Sequence, residues 1–288
     1  MPKNNLSGLG PQRRLFDYFA TFLCALAAFL VLLPLAAIFG YLIYRGIGSI
    51  NVAFLVNTPR PVGEAGGGMA NAIVGSGVIL GLASVFGVPL GVGAGIYLAE
   101  YGGGRLSMLI RFTADVLNGV PSIVIGIVAY SIVVISQRHF SALAGGVALA
   151  IMMVPTIART TEEMLLMVPH AVREAALGLG IPQWRSIISI TLPSAASGVI
   201  TGIMLAFARI AGETAPLLFT TLGNQYWNRD ISQPTAALPL QIYAYAISPY
   251  DDWHRQAWAG ALVLLVLIVI TVALFRMIGN RGFLRAVR

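Results

Sequence analysis

The chain has 288 residues, 57% of them hydrophobic and only 10% charged. A soluble domain carries about 25% charged residues, so with a mean hydropathy of +0.82 the chain is read as an integral membrane protein. Its 18 Lys+Arg against 11 Asp+Glu give a net charge of +7. These basic residues are spread over loops between apolar runs and form no clustered stripe of the kind that grips a phosphate backbone, so no nucleic-acid partner is expected.

A bilayer core of about 30 Å takes about 20 apolar helical residues. Six segments meet this length in chain order: 18–44, 69–99, 112–136, 140–159, 193–220 and 257–277. The first follows Lys3, Arg13 and Arg14, with no charge from Tyr18 to Tyr44. A signal-peptide core has only about 7–15 apolar residues, so an uncleaved span is expected. Cys24, the single cysteine, lies in this run, which leaves no disulfide within the chain and no thiol metal cluster. The reading is an all-α multi-pass protein with six transmembrane helices. A tail occupies residues 1–17, one transmembrane permease domain residues 18–278, and a second tail residues 279–288.

Orientation follows the positive-inside bias. With both termini in the cytoplasm, twelve of the 18 basic residues fall on that side and five outside, with Arg209 inside a span. The loop at about 160–192 then lies in the cytoplasm, and a longer loop at about 221–256 lies outside. That external loop carries Tyr226, Trp227, Tyr243, Tyr245, Tyr250 and Trp253, which suit either anchoring at the interface or docking an external partner. Its apolar stretch from Ala236 to Ile247 is too short to span and is expected at the interface.

Glycines recur at four-residue spacing at Gly77/Gly81, Gly87/Gly91/Gly95 and Gly198/Gly202. Small faces of this kind let membrane helices approach closely. The run Gly66–Gly68 is not a nucleotide loop, because such a loop needs a lysine and the only lysine is Lys3. The energy source is therefore a partner or an ion gradient, and no cofactor is expected in this chain. Ser76 sits between two glycines in the second span, but His139, His170 and His254 all map to loops, so a serine nucleophile has no base. Asp115 is the only aspartate within a span, one short of an aspartyl-protease pair. An intramembrane enzyme is disfavoured, and the chain is read as a non-enzyme.

Two segments carry the functional reading. In the first, Pro169 and Pro182 bracket a short helix over 171–179, with Ala175 and Ala176 small enough for close contact and Gly180 suited to the left-handed helix stop. Glu174-Ala175-Ala176, then Gly180, then Ile190, Leu192 and Pro193 match the EAA loop of ABC-importer permeases at every motif position. The resemblance implies a cytoplasmic coupling helix that docks into a separate ATPase subunit. A gradient-driven secondary transporter has no need of such a segment.

In the second, Arg209 and Glu213 are four residues apart and are expected on one helix face. Arg209 lies about 24 Å along a helix starting at Pro193, in the middle or outer half of the bilayer. Ionisable residues at such depth line a pathway or pair with one another, and a structural ion pair remains the alternative. A buried arginine presents a planar fork suited to an oxyanion.

Residues 208–218 contain Arg209-Ile210-Ala211-Gly212-Glu213-Thr214 and resemble the Arg-x-x-Gly-Glu-Thr segment of phosphate ABC importer permeases. The runs 68–75 and 118–124 are similar to that family too. The resemblance covers about residues 68–278. It implies a type I ABC importer permease (MetI-like) fold and a subunit of an inorganic phosphate importer. Arg209, Glu213 and Arg159 would be its charged transport residues. The implied partners are a homologous second permease, a dimer of ABC ATPases that binds the ATP and Mg, and an external phosphate-binding protein. The implied location is the bacterial inner membrane. A sulfate or molybdate permease is the alternative within this class.

Overall fold

The computed structural model describes residues 11–64 and 66–286. Lys3 and most of the expected N-terminal tail lie outside them. The helices in chain order are α1 (Pro11–Gly46), α2 (Val52–Val56), α3 (Ala70–Glu100), α4 (Arg105–Gly119), α5 (Ser122–Ala129), α6 (Ile135–Gln137) and α7 (Ala142–Leu166). They continue with α8 (His170–Gly178), α9 (Gln183–Ser186), α10 (Leu192–Ala211), α11 (Ala215–Thr220), α12 (Leu238–Ala246) and α13 (Asp251–Ala286). Short π segments at Tyr130–Val134 and Ile187–Thr191 join α5 to α6 and α9 to α10. Five stretches are long and apolar enough to cross a membrane: Leu15–Ser49, Ala70–Glu100, Ala142–Leu166, Gln183–Ala211 and Asp251–Met277.

The third expected span, 112–136, is not one straight helix. α4 and the α5–α6 rod meet at 110°, and only counted together do they make a sixth crossing. The cause is local. Pro121 disfavours helical backbone in the residue before it, and Val120 is extended at φ −70°, ψ 133°.

The fifth expected span, 193–220, is displaced. Its helix begins at Gln183, passes Pro193 and stops at Ala211. Pro193 has no N–H and its ring crowds the carbonyl four residues back. The π turn just before it widens the backbone ladder there. Gly212 and Glu213 then break the rod, and the chain becomes helical again at Ala215.

The centre of the molecule is the α3–α7 pair, the most extensive helix contact among the described residues. It is built on glycine. A Cβ on Gly91 or Gly95 would meet Ile157 or Thr161 of α7 at 2.7 and 2.5 Å. Beside this seam on α7, Gly198 and Gly202 of α10 lie against Met164 and Thr160. Gly77 and Gly81 have nothing near them. The glycine spacing is thus a packing device in α3's second half and in α10, but not at Gly77/Gly81.

The stretch expected at the interface is buried within the protein at its start. Leu238 is 0% exposed. Its N–H donates to the Ser76 hydroxyl at 2.7 Å, and the Ala236 carbonyl rests where Gly75 has no side chain. Ser76 is therefore a cap for α12, and Gly75 beside it makes room for the incoming chain. Further along, Tyr245 stacks on Trp253 at 4.5 Å between centroids, while Tyr226 and Trp227 stay exposed.

Candidate functional site

Four charged side chains meet where α4 crosses α7. Glu162 has a 4% exposed side chain and takes a guanidinium on each oxygen. Arg111 Nε donates to Oε1 at 2.6 Å, and Arg159 Nη1 donates to Oε2 at 3.1 Å. Arg159 Nε also lies 3.1 Å from Asp115 Oδ1. Asp115 is 56% exposed and Arg159 34%, so this end of the cluster is open. Arg111 Nη2 reaches the Leu98 carbonyl at 3.2 Å, which ties the cluster to α3 as well. One turn beyond Asp115, Asn118 accepts a hydrogen bond from Thr156 of α7 at 3.1 Å.

Of these residues, only Arg159 is a site residue by sequence. Glu162 lies three positions after it on the same helix, a spacing that pairs charges across one turn. Asp115 carries a signal of its own as an acid within a span. Arg111 carries none, because its partner is 51 residues away.

Arg209 and Glu213 are not brought together. α10 ends two residues after Arg209, so the expected shared helix face does not exist, and the two form no ion pair among the described residues. Arg209 is exposed and Glu213 half-buried. α7 and α10 run antiparallel, since Gly198 meets Met164 and Gly202 meets Thr160. Arg159 and Arg209 thus sit at levels about 9 Å apart along the helix axes at 1.5 Å per residue. Two cationic levels stand on neighbouring helices, and of the two only Arg159 is ion-paired among the described residues.

The EAA segment folds into α8, preceded by Pro169 and ended as expected. Gly180 has φ +76°. The Gly180 N–H reaches the Leu177 carbonyl at 2.9 Å and the Ile181 N–H the Ala176 carbonyl at 3.2 Å, the paired bonds of a Schellman stop. Ala176 is buried, whereas Glu174, Ala175, Leu177, Leu179 and Trp184 are exposed. Ile190 and Leu192 are half-buried at the π turn, beside Pro193. The result is a short knob with an apolar, acid-tipped outer surface.

This architecture is that of a membrane permease. The family described as binding-protein-dependent transport system inner membrane component matches residues 91–283, and the chain belongs to that family. It is 50% identical over 235 residues to a phosphate transport system permease protein PstA of Yersinia pestis, covering 81% of this chain and 80% of the relative. A PstA of Xylella fastidiosa is 47% identical and covers 90% of this chain and 91% of its own. A PstA 1 of Mycobacterium tuberculosis is 39% identical over 75% of this chain and 72% of its own. Among solved structures, a chain of the inward-facing MetNI methionine ABC transporter superposes with a TM-score of 0.58 at 20% identity. It covers 76% of this chain and 98% of that one, which shows the fold.

Proposed function

We propose that this chain is the transmembrane permease subunit of an ATP-driven importer of inorganic phosphate. The observation that carries the reading is the near-full-length identity to phosphate transport system permeases. The site geometry supports it. An arginine fork forms charge-assisted bonds with oxyanions, and Arg159 offers one whose partner Asp115 is exposed enough to exchange. Glu162 stays held by Arg111 if Asp115 leaves. Arg209, with no carboxylate bound to it among the described residues, is the second anion step, and Glu213 keeps the net charge there low enough for release.

The chain itself carries no catalysis. ATP and Mg bind an ATPase dimer that meets Glu174, Ala175 and the exposed apolar side chains of α8, with Gly180 and the stretch from Ile190 to Pro193 shaping the approach. A homologous permease completes the path, and an external binding protein delivers phosphate. Both termini and α8 face the cytoplasm, as the basic-residue bias asks. The test is purification of the chain with its neighbours from the native membrane. Co-purification of an ATPase whose hydrolysis rises with phosphate-loaded binding protein is expected. An intact assembly that responds to a sulfate-binding protein instead contradicts the reading.

A further inference from the structure

We propose that Arg173 is a mechanical joint that fastens α8 to the paired ends of α3 and α7, so that displacement of α8 moves that pair as one body. The proposal rests on the reading of α8 as the ATPase contact. Arg173 adjoins Glu174 in sequence but is turned inward, with 15% of its side chain exposed. Its Nε donates to Glu100 Oε1 at 3.1 Å, and its Nη2 lies 3.0 Å from the same oxygen. Nη1 donates to the Val168 carbonyl at 2.6 Å and Nη2 to the Leu165 carbonyl at 2.7 Å.

Glu100 is the last residue of α3, and Leu165 belongs to the last turn of α7. Carbonyls in a last turn lack partners within the helix. One planar fork thus closes the ends of two helices from a third, a geometry an ammonium group does not offer. The Glu100 side chain is 5% exposed, and Arg173 is its ion-pair partner. Gln183 of α9 adds a bond to the Glu100 carbonyl at 3.3 Å.

α8 has few backbone neighbours among the described residues, α9 being the main one. Its firmest polar link to the membrane helices is therefore this arginine. On the far side of the joint, the glycine-seated α3–α7 pair resists sliding and carries Arg159 and Glu162 with it. Arg111 bridges the same two helices through Leu98 and Glu162, so α4 follows. A push on α8 would reach the anion site through Arg173, α7 and Arg159.

The test uses the assembled importer in lipid vesicles, with Arg173→Gln, Arg173→Lys and Glu100→Gln in this chain. One readout is phosphate taken up per ATP hydrolysed. The joint predicts a fall of about tenfold for Arg173→Gln, a coupling loss of ordinary allosteric size. Arg173→Lys should fall between, and hydrolysis should continue throughout. The second readout needs no transport. Spin labels at Val85→Cys on α3 and His170→Cys on α8, in a Cys24→Ser background, should keep their separation between the nucleotide-free and ATP–vanadate states. In Arg173→Gln that separation should change with nucleotide. An unchanged uptake ratio with a constant separation in Arg173→Gln would overturn the joint. So would loss of the ATPase with uptake and hydrolysis falling in step, because Arg173 would then serve docking alone. If Arg173→Gln does not assemble, Glu100→Gln decides, since it keeps the bonds to α7. A complex that carries no phosphate at all refutes the substrate reading, and the label separation still decides the joint.

Discussion

Glu162 takes its two guanidinium partners from different helices, which makes it the keystone of the charged cluster. Breaking one partner of a fully buried pair costs about 3–5 kcal/mol. The cost here is smaller, because Arg111 and Arg159 keep 36% and 34% of their side chains exposed. Glu162→Gln should lower the thermal stability of the detergent-solubilised complex and loosen α4 from α7, measured by protease cleavage near Arg105. Unchanged stability and cleavage would remove the structural role. Arg209 makes a sharper case, because it forms no ion pair among the described residues. Arg209→Gln should leave assembly intact and abolish phosphate uptake, and adding Glu213→Gln should not restore it. Full uptake in the double variant would end the pathway role. Gly180 is the third residue-scale test. A non-glycine residue in the left-handed region costs about 1–2 kcal/mol, more for a β-branched one. Gly180→Val should uncouple hydrolysis from uptake or weaken ATPase binding, and normal values of both would contradict the stop.

Between helices, close approach matters more than hydrophobic burial, because lipid tails are as apolar as the side chains themselves. Gly95→Leu would drive a side chain into Thr161 and the Ala158 carbonyl. Gly77→Leu, at a position with nothing near it, is the matched control. The first should abolish a folded subunit and the second should be tolerated in the membrane fraction; equal yields would contradict the seating of α3 on α7. Apolar length placed the major helices, glycine spacing marked part of their packing seams, and the EAA segment was legible down to the conformation of Gly180. The bend at Val120–Pro121 was not, because a hydropathy window sums apolar residues without registering what a proline does to its neighbour. The break after Ala211 escaped for a related reason, since an Arg-to-Glu spacing of four suggests a shared face only while the helix continues. The cluster around Arg159 was half legible. Glu162 stands one turn away, but Arg111 and Asp115 come from another helix and only the fold brings them in.

Taken whole, the molecule is built to be a part of something larger. The apolar window of α1 is 0% buried within the chain, and the corresponding windows in α3 and α13 are only 28% and 17% buried. Those faces are exposed apolar surface in the single chain. At the α8 end the exposed surface changes to Glu174, Leu177, Leu179 and Trp184, the edge proposed to meet the ATPase. The central claim is that this assembly uses ATP to move phosphate. The most direct measurement is radiolabelled phosphate uptake by vesicles holding the complete complex, with its binding protein outside and ATP inside. Uptake should require ATP, persist when the proton gradient is dissipated, and stand against a large excess of sulfate. Uptake driven by a proton gradient without ATP, or sulfate carried in place of phosphate, would contradict the account.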